Sequence, residues 1–202
     1  MGRRLGLRLL ALGLLLGATP VAVGDISGSA HDFSSDSWNS GEICMPCHTP
    51  HDADTSVTAS PLWNHAVTTA SFTLYSSPTL VETPVAPRGV SKLCLSCHDG
   101  TIALDSFSGM SGSNYVTGQA NLGTDLSDDH PISIKWEHQN SVGSCSGCHG
   151  AHQGNMYNSV LPFFDGYVEC ASCHDVHDQA GLSKLLRKPL AYSELCFHCH
   201  SK

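Results

Sequence analysis

Hydrophobic positions are spread unevenly along the 202 residues. The first 24, MGRRLGLRLLALGLLLGATPVAVG, set Arg3, Arg4 and Arg8 ahead of an apolar run and close on Ala22, Val23 and Gly24 before Asp25. Basic, apolar and small residues in that order predict a secretory signal peptide over 1–24. No cysteine follows the run, which argues against a lipoprotein anchor, and no later stretch approaches the roughly 18 consecutive apolar residues of a membrane span. Beyond the run the pattern breaks into short pieces. GEICMPCH, VSKLCLSCH, GYVECASCH and YSELCFHCH each predict a helical turn opened by polar or small residues that can cap it. Residues 99–128, DGTIALDSFSGMSGSNYVTGQANLGTDLSD, are rich in Gly, Ser, Asn and Thr and read as turns with short extended pieces. The expected fold class is mostly irregular with short α-helices, and large aliphatic residues are too sparse for a conventional core.

Removing the signal from 202 residues leaves 178, within the range of one domain or two small ones. Three of the ten basic residues leave with it, so 7 Lys and Arg face 18 Asp and Glu, a net charge of −11. An acidic surface argues against nucleic acid and anionic lipid as partners. Asp125, Asp128 and Asp129 read as a solvated acidic loop before they read as a calcium site.

Cysteine spacing supplies the chemistry. All ten cysteines fall into five copies of one motif: CMPCH (44–48), CLSCH (94–98), CSGCH (145–149), CASCH (170–174) and CFHCH (196–200). Cys-x-x-Cys-His is the attachment signature of c-type haem. Two cysteines three positions apart share one face of a helical turn, so both sulfurs reach the vinyl groups on one porphyrin edge. The next histidine then binds iron from the proximal side. Cys44 and Cys47, Cys94 and Cys97, Cys145 and Cys148, Cys170 and Cys173, and Cys196 and Cys199 are thus the expected thioether pairs. His48, His98, His149, His174 and His200 are the expected proximal ligands, for five covalently bound haem c groups. Zinc would gather Cys and His in tetrahedral sets; five pairs leave one unmatched, and neither zinc nor disulfides explain a histidine after every pair. First cysteines 50, 51, 25 and 26 residues apart suggest a weak repeat of about 25. The expected organisation is a signal peptide over 1–24, a two-haem region over 25–135 and a three-haem region over 136–202, the last containing a doubled unit over 168–202.

The sixth ligand separates a carrier from an enzyme. Thirteen histidines less five proximal ones leave His31, His51, His65, His130, His138, His152, His177 and His198. Methionine is scarcer, with Met110 and Met156 outside the motifs. His51, His152 and His177 each follow a proximal histidine by three residues, as in CMPCHTPH, CSGCHGAH and CASCHDVH. Neighbours at i and i+3 lie on one face, so a porphyrin cannot slip between them and the second histidine serves another haem. His31, His51, His65, His130, His152 and His177 are the expected distal ligands; His138 and His198 read as surface residues.

The stretch VECASCHDVHDQAGLSKLLRKPLAYSELCFHCHSK, 168–202, looks like a doubled-CxxCH unit of multihaem c-type cytochromes. SAHDF, EICMPCHTPH, PLWNH, SKLCLSCHDGTIALDSF and GTDLSDDHPIS resemble small tetrahaem cytochromes of metal-reducing bacteria, similar to outer-membrane cytochrome E, some of which polymerise into extracellular haem-stacked filaments. The resemblance implies bis-histidine ligation, a haem-organised core with little regular structure, and electron transfer. It would make His31, His51, His65, His130 and His177 distal ligands. The chain departs from the pattern by its fifth motif, CSGCHGAH at 145–152. Filament members complete one haem with a histidine from the next subunit; His51, with His31 second, is the candidate for that role here.

The expected function is transfer of single electrons in the periplasm or outside the cell. Partners would be redox cytochromes, a mineral or other extracellular acceptor, or further copies of the chain. No residue is expected to act as acid, base or nucleophile. The competing class, a reductase of a small nitrogen oxide, needs one open-coordinate haem with an acid–base pocket, and no variant motif such as CxxCK marks one.

Overall fold

A computed structural model describes residues 26–58, 60–80, 82–136 and 161–200. The expected signal peptide, the third motif with Cys145, Cys148 and His149, and His138, His152 and Met156 lie outside the described residues.

Regular structure is short, as the broken hydrophobic pattern requires. Helix α1, Gly89–His98, carries the second motif over its last turn. Its first turn follows an extended Arg88 and a Gly89 with φ of +45°, and its C-terminal turn continues into Asp99, whose N–H donates to the Leu95 carbonyl at 2.9 Å, and Gly100, whose N–H donates to the Cys97 carbonyl at 3.1 Å. Helices α2, Cys170–Cys173, and α3, Glu194–Phe197, are single turns over the fourth and fifth motifs. Glu169 opens α2 by a reciprocal cap with Ser172, its N–H donating to Ser172 Oγ at 3.0 Å, so one orphan end of the turn is satisfied locally. The first motif closes as a turn alone, His48 N–H donating to the Cys44 carbonyl at 2.8 Å. Three-residue 3₁₀ turns stand at Gly118–Ala120, Ser183–Leu185 and Ala191–Ser193. The sheet is one antiparallel pair, β1 (Ile134–Lys135) and β2 (Tyr167–Val168), with Ile134 opposite Val168. Residues 99–128 run as turns with an isolated bridge from Asp125 to Thr73.

Apolar burial is divided rather than pooled. Val57, Trp63 and Leu93 form one cluster with Cys47 and Val67 against it; Leu161, Leu186 and Leu195 form another with Cys173 and Leu182 against it. Each cluster holds one attachment cysteine. Between them the interior is largely polar: Ser91, Ser96, Ser133, Thr68 and Glu169 are buried. Burying such groups is tolerable only when they are hydrogen-bonded. Thr68 N–H donates to Ser96 Oγ at 3.0 Å, its hydroxyl donates to Asp99 Oδ2 at 2.5 Å, and Thr101 N–H donates to Asp99 Oδ1 at 2.7 Å. This network pins the loop that follows the second motif. Among the described residues no helix is long and apolar enough to cross a membrane.

Candidate functional site

Three of the four described motifs present their histidines in the same way. His48 donates Nδ1–H to the Pro61 carbonyl at 2.6 Å, His98 to Ala120 at 2.7 Å and His174 to Lys184 at 2.8 Å. A neutral imidazole has one N–H; spending it at Nδ1 leaves the Nε2 lone pair for a metal, and the carbonyl raises the ring's basicity.

The first and fourth motifs share more than the contact. His48 bridges to Trp63 and His174 to Leu186. The next residue's N–H, from Thr49 or Asp175, donates to the Leu62 or Leu185 carbonyl at 2.9 and 2.7 Å. The preceding carbonyl, of Cys47 or Cys173, accepts from Asn64 or Arg187 at 3.0 and 2.9 Å. Leu62 and Leu185 both take left-handed φ, 53° and 55°. A leucine in that region is strained by about 1–2 kcal/mol, and both strained residues follow directly on the carbonyl that holds the histidine. The geometry at the two sites is one local design with loops of different length.

Distant segments then bring a second imidazole beside three of the proximal rings. His31 lies opposite His98 with ring centroids 5.9 Å apart, His177 opposite His48 at 6.2 Å, and His130 opposite His200 at 6.2 Å. The distance alone is ordinary for neighbouring rings, since Trp63 and His65 also stand 6.2 Å apart; between two imidazoles it is also the span of one metal. Two metal–nitrogen bonds of about 2 Å, plus the distance from each nitrogen to its ring centre, give a centroid separation of roughly 6 Å for imidazoles on opposite sides of one iron. Interplanar angles of 54°, 15° and 77° also fit, because each plane rotates freely about the iron–nitrogen axis. His31 is pushed down to about 4, first by burial and then by the charges of His98 and His174, so it is neutral, the form that binds a metal.

The expected distal residues therefore divide. His31, His130 and His177 face proximal rings. His51 is exposed on the wall of an open groove with Trp63, His65 and Met110. His65 is buried with Nδ1 at 2.8 Å from the Ala66 carbonyl and Nε2 at 2.9 Å from the Ala103 carbonyl. Carbonyls stand at both nitrogens, of which a neutral ring can donate to one, and Cys97 Sγ lies 3.6 Å from Nε2; the ring is not paired with a proximal histidine among the described residues. Among the described residues no imidazole ring faces His174 across such a gap.

No family model matches the chain. No curated protein matches it either.

The thiols place the motifs in order. Cys97 is raised to about 12 by burial, then by Cys47 and Asp99; Cys47 is raised to about 11 by burial, then by Cys44. Cys94 is pushed up first by a hydrogen bond with Cys170, and Cys173 by burial and then by Cys170 and Cys196. Cys199 is raised to about 11 by burial and then by Cys173. Neighbouring thiols thus run from the first motif to the second, the fourth and the fifth. No group of three or more Cys, His, Asp or Glu converges on one point among the described residues.

A cleft of about 220 Å³ stands against the fourth motif. Leu74, Leu95, Leu122, Leu126 and Ile132 face Cys170, Cys173 and His174 across it. An apolar wall opposite two thiols and an imidazole with a free Nε2 is the donor set and surface that a thioether-linked porphyrin needs. Sequence reasoning missed the carbonyls of Pro61, Ala120 and Lys184, because any residue type supplies a carbonyl and only the path of the chain aims it.

Proposed function

We propose that the protein is a five-haem c-type cytochrome that carries single electrons in the periplasm or outside the cell. The observation that carries the reading is the set of facing imidazole pairs, His31 with His98, His48 with His177 and His130 with His200, each separated by the span of one bis-ligated iron. Haem c supplies a one-electron iron couple when bound. Cys44 and Cys47, Cys94 and Cys97, Cys145 and Cys148, Cys170 and Cys173, and Cys196 and Cys199 would hold it through thioethers, and the histidine closing each motif would ligate iron. His31, His130 and His177 would fill the opposite side and deny it to water or substrate, so that the site changes charge without changing ligands. The carbonyls of Pro61, Ala120 and Lys184 fix three proximal rings in orientation.

His51 is the residue we assign to a neighbouring copy of the chain. It is exposed, and its ring is not paired across a metal-sized gap among the described residues. The other candidate for that role, His31, is half-buried against His98. Such a trans contact would join copies into a filament.

Intact mass of the exported protein, with a pyridine haemochrome spectrum, tests the cofactor: five haem masses with no free thiol are expected, and an unmodified mass overturns the reading. A purely low-spin ferric spectrum is expected of the carrier, whereas a high-spin band would point to a reductase. Negative-stain microscopy tests the filament; a monomer with five six-coordinate haems in dilute solution overturns it.

A further inference from the structure

Among the described residues Asp99, Glu169 and Asp175 are the buried acidic side chains, and of these Glu169 alone keeps a carboxylate oxygen without a hydrogen-bond partner. Glu169 precedes Cys170, and its side chain is fully buried between the helices of the second and fourth motifs. Its Oε2 accepts from the Ser133 hydroxyl at 3.0 Å. Its Oε1 is buried with no hydrogen-bond partner and is 4.0 Å from Arg88 Nη1. The Arg88 guanidinium is shared, since Nη2 meets Asp165 at 3.0 Å and its carbon sits 4.1 Å over the Tyr167 ring. Glu169 thus has a distant, divided cation and an orphan oxygen, and it lines the cleft beside Cys170, Cys173 and His174.

A buried carboxylate with half its acceptor capacity unmet is an expensive group to keep ionised. A proton on Oε1 would remove the charge and leave the Ser133 bond in place. We infer that Glu169 is a proton-binding site coupled to electron transfer at the fourth motif, taking up one proton when an electron arrives and releasing it when the electron leaves. The inference rests on the proposed function, which supplies the electron through a one-electron donor. The balance is simple: iron gains one electron, the carboxylate gains one proton from solvent to become the acid, and the charge of the buried site is unchanged.

The groups that face Glu169 set the size of the effect. From the α1 side these are Arg88 and the Ser91 hydroxyl, which favour the ionised form; from the loop before β1, Ser133 does the same. From α2 the neighbour is the Cys170 sulfur, uncharged once alkylated, and Asp129, His130 and His174 border the same cleft. Burial is the largest influence on Glu169 and raises it above the ordinary glutamate value. Adding negative charge nearby raises it further. The potential should then fall as pH climbs through the glutamate's range in the oxidised protein, and level off above its range in the reduced protein.

Potentiometric titration of the five-haem protein between pH 5 and 9 tests this, with Glu169→Gln alongside. The parent should show one couple whose potential drops with pH by up to about 59 mV per unit, the tenfold proton change converted for one electron. E169Q should flatten that couple at the parent's low-pH plateau while the others keep their slopes. Ser133→Ala, which keeps the carboxyl and removes one bond to it, should move the sloping window to higher pH. Redox-difference infrared spectra of the parent should gain a protonated-carboxyl band on reduction, shifted in D₂O and absent from E169Q. If E169Q fails to fold, the S133A window and the infrared band decide alone. An E169Q titration superimposed on the parent's, or a parent without the band, overturns the inference. A preparation without covalent haem sinks the function itself and is seen in the mass before any titration begins.

Discussion

The His177 ring lies within 15° of parallel to the His48 ring at 6.2 Å, although His177 belongs to the fourth motif and His48 to the first. His177 lies three residues beyond His174, after α2 has ended at Cys173 and the chain has turned extended at His174. On the proposed function, one segment would contribute a proximal residue to its own site and a distal residue to another.

Replacing His177 should open one site and leave the rest closed. For His177→Ala we expect a high-spin ferric component equal to one haem in five, with the same number of covalent haems by mass. His177→Met should keep six-coordination and raise the potential of that one couple. A fully low-spin His177→Ala spectrum would contradict the pairing.

His65→Ala should behave in the opposite way. Both nitrogens of this ring meet backbone carbonyls, so the substitution should cost about 1–3 kcal/mol of stability, read as a lower midpoint in denaturant. Its ferric spectrum should stay low-spin, since no proximal ring faces His65. A new high-spin band would restore His65 to the distal set.

Much of the site was legible in spacing, and much was not. Cys-x-x-Cys-His carries the proposed chemistry in its spacing, and in that reading the three-residue offset of His177 from His174 assigns the two rings to different haems. His65 and His130 were indistinguishable by that logic, since both sit in polar connections next to residues that shape the backbone. What separates them is that His130 meets one carbonyl, that of Pro131, through Nδ1 at 3.0 Å, whereas carbonyls stand at both nitrogens of His65, one of which a neutral ring can serve. Such bookkeeping depends on long-range chain path, as does the aim of the Lys184 carbonyl. The helical turns expected at the motifs shrink to one turn or less at the first, fourth and fifth, because few apolar contacts extend them; α1 alone reaches ten residues, with Leu93 and Leu95 buried along it.

Arg187 should be a stability determinant of the fourth motif. Its Nε donates to the Ala171 carbonyl at 2.8 Å and Nη1 approaches Asp175 at 3.5 Å, with the Asp175 side chain 8% exposed. Arg187→Ala should lower stability by about 1.5–3 kcal/mol, measured by denaturant melts. Arg187→Lys should recover little of the loss, because an ammonium cannot reach both partners in one plane.

Leu62→Gly should stabilise slightly. Leu62 is 58% exposed and left-handed, so removing its side chain relieves strain while forfeiting little burial. After the entropy cost of glycine, a net gain of up to about 1 kcal/mol is expected, seen as a higher thermal midpoint. The buried Leu185, in the equivalent position, should show no gain on the same substitution because it loses its packing.

The row of attachment cysteines, first to second to fourth to fifth motif, has ends. Of the eight described, Cys44 and Cys196 are the exposed ones, and they belong to the two terminal motifs of the row. On the proposed function the described part of the molecule would be a conductor insulated along its middle and bare at two contacts. Its donor and its acceptor should then dock at separate places, so that each can be blocked without hindering the other.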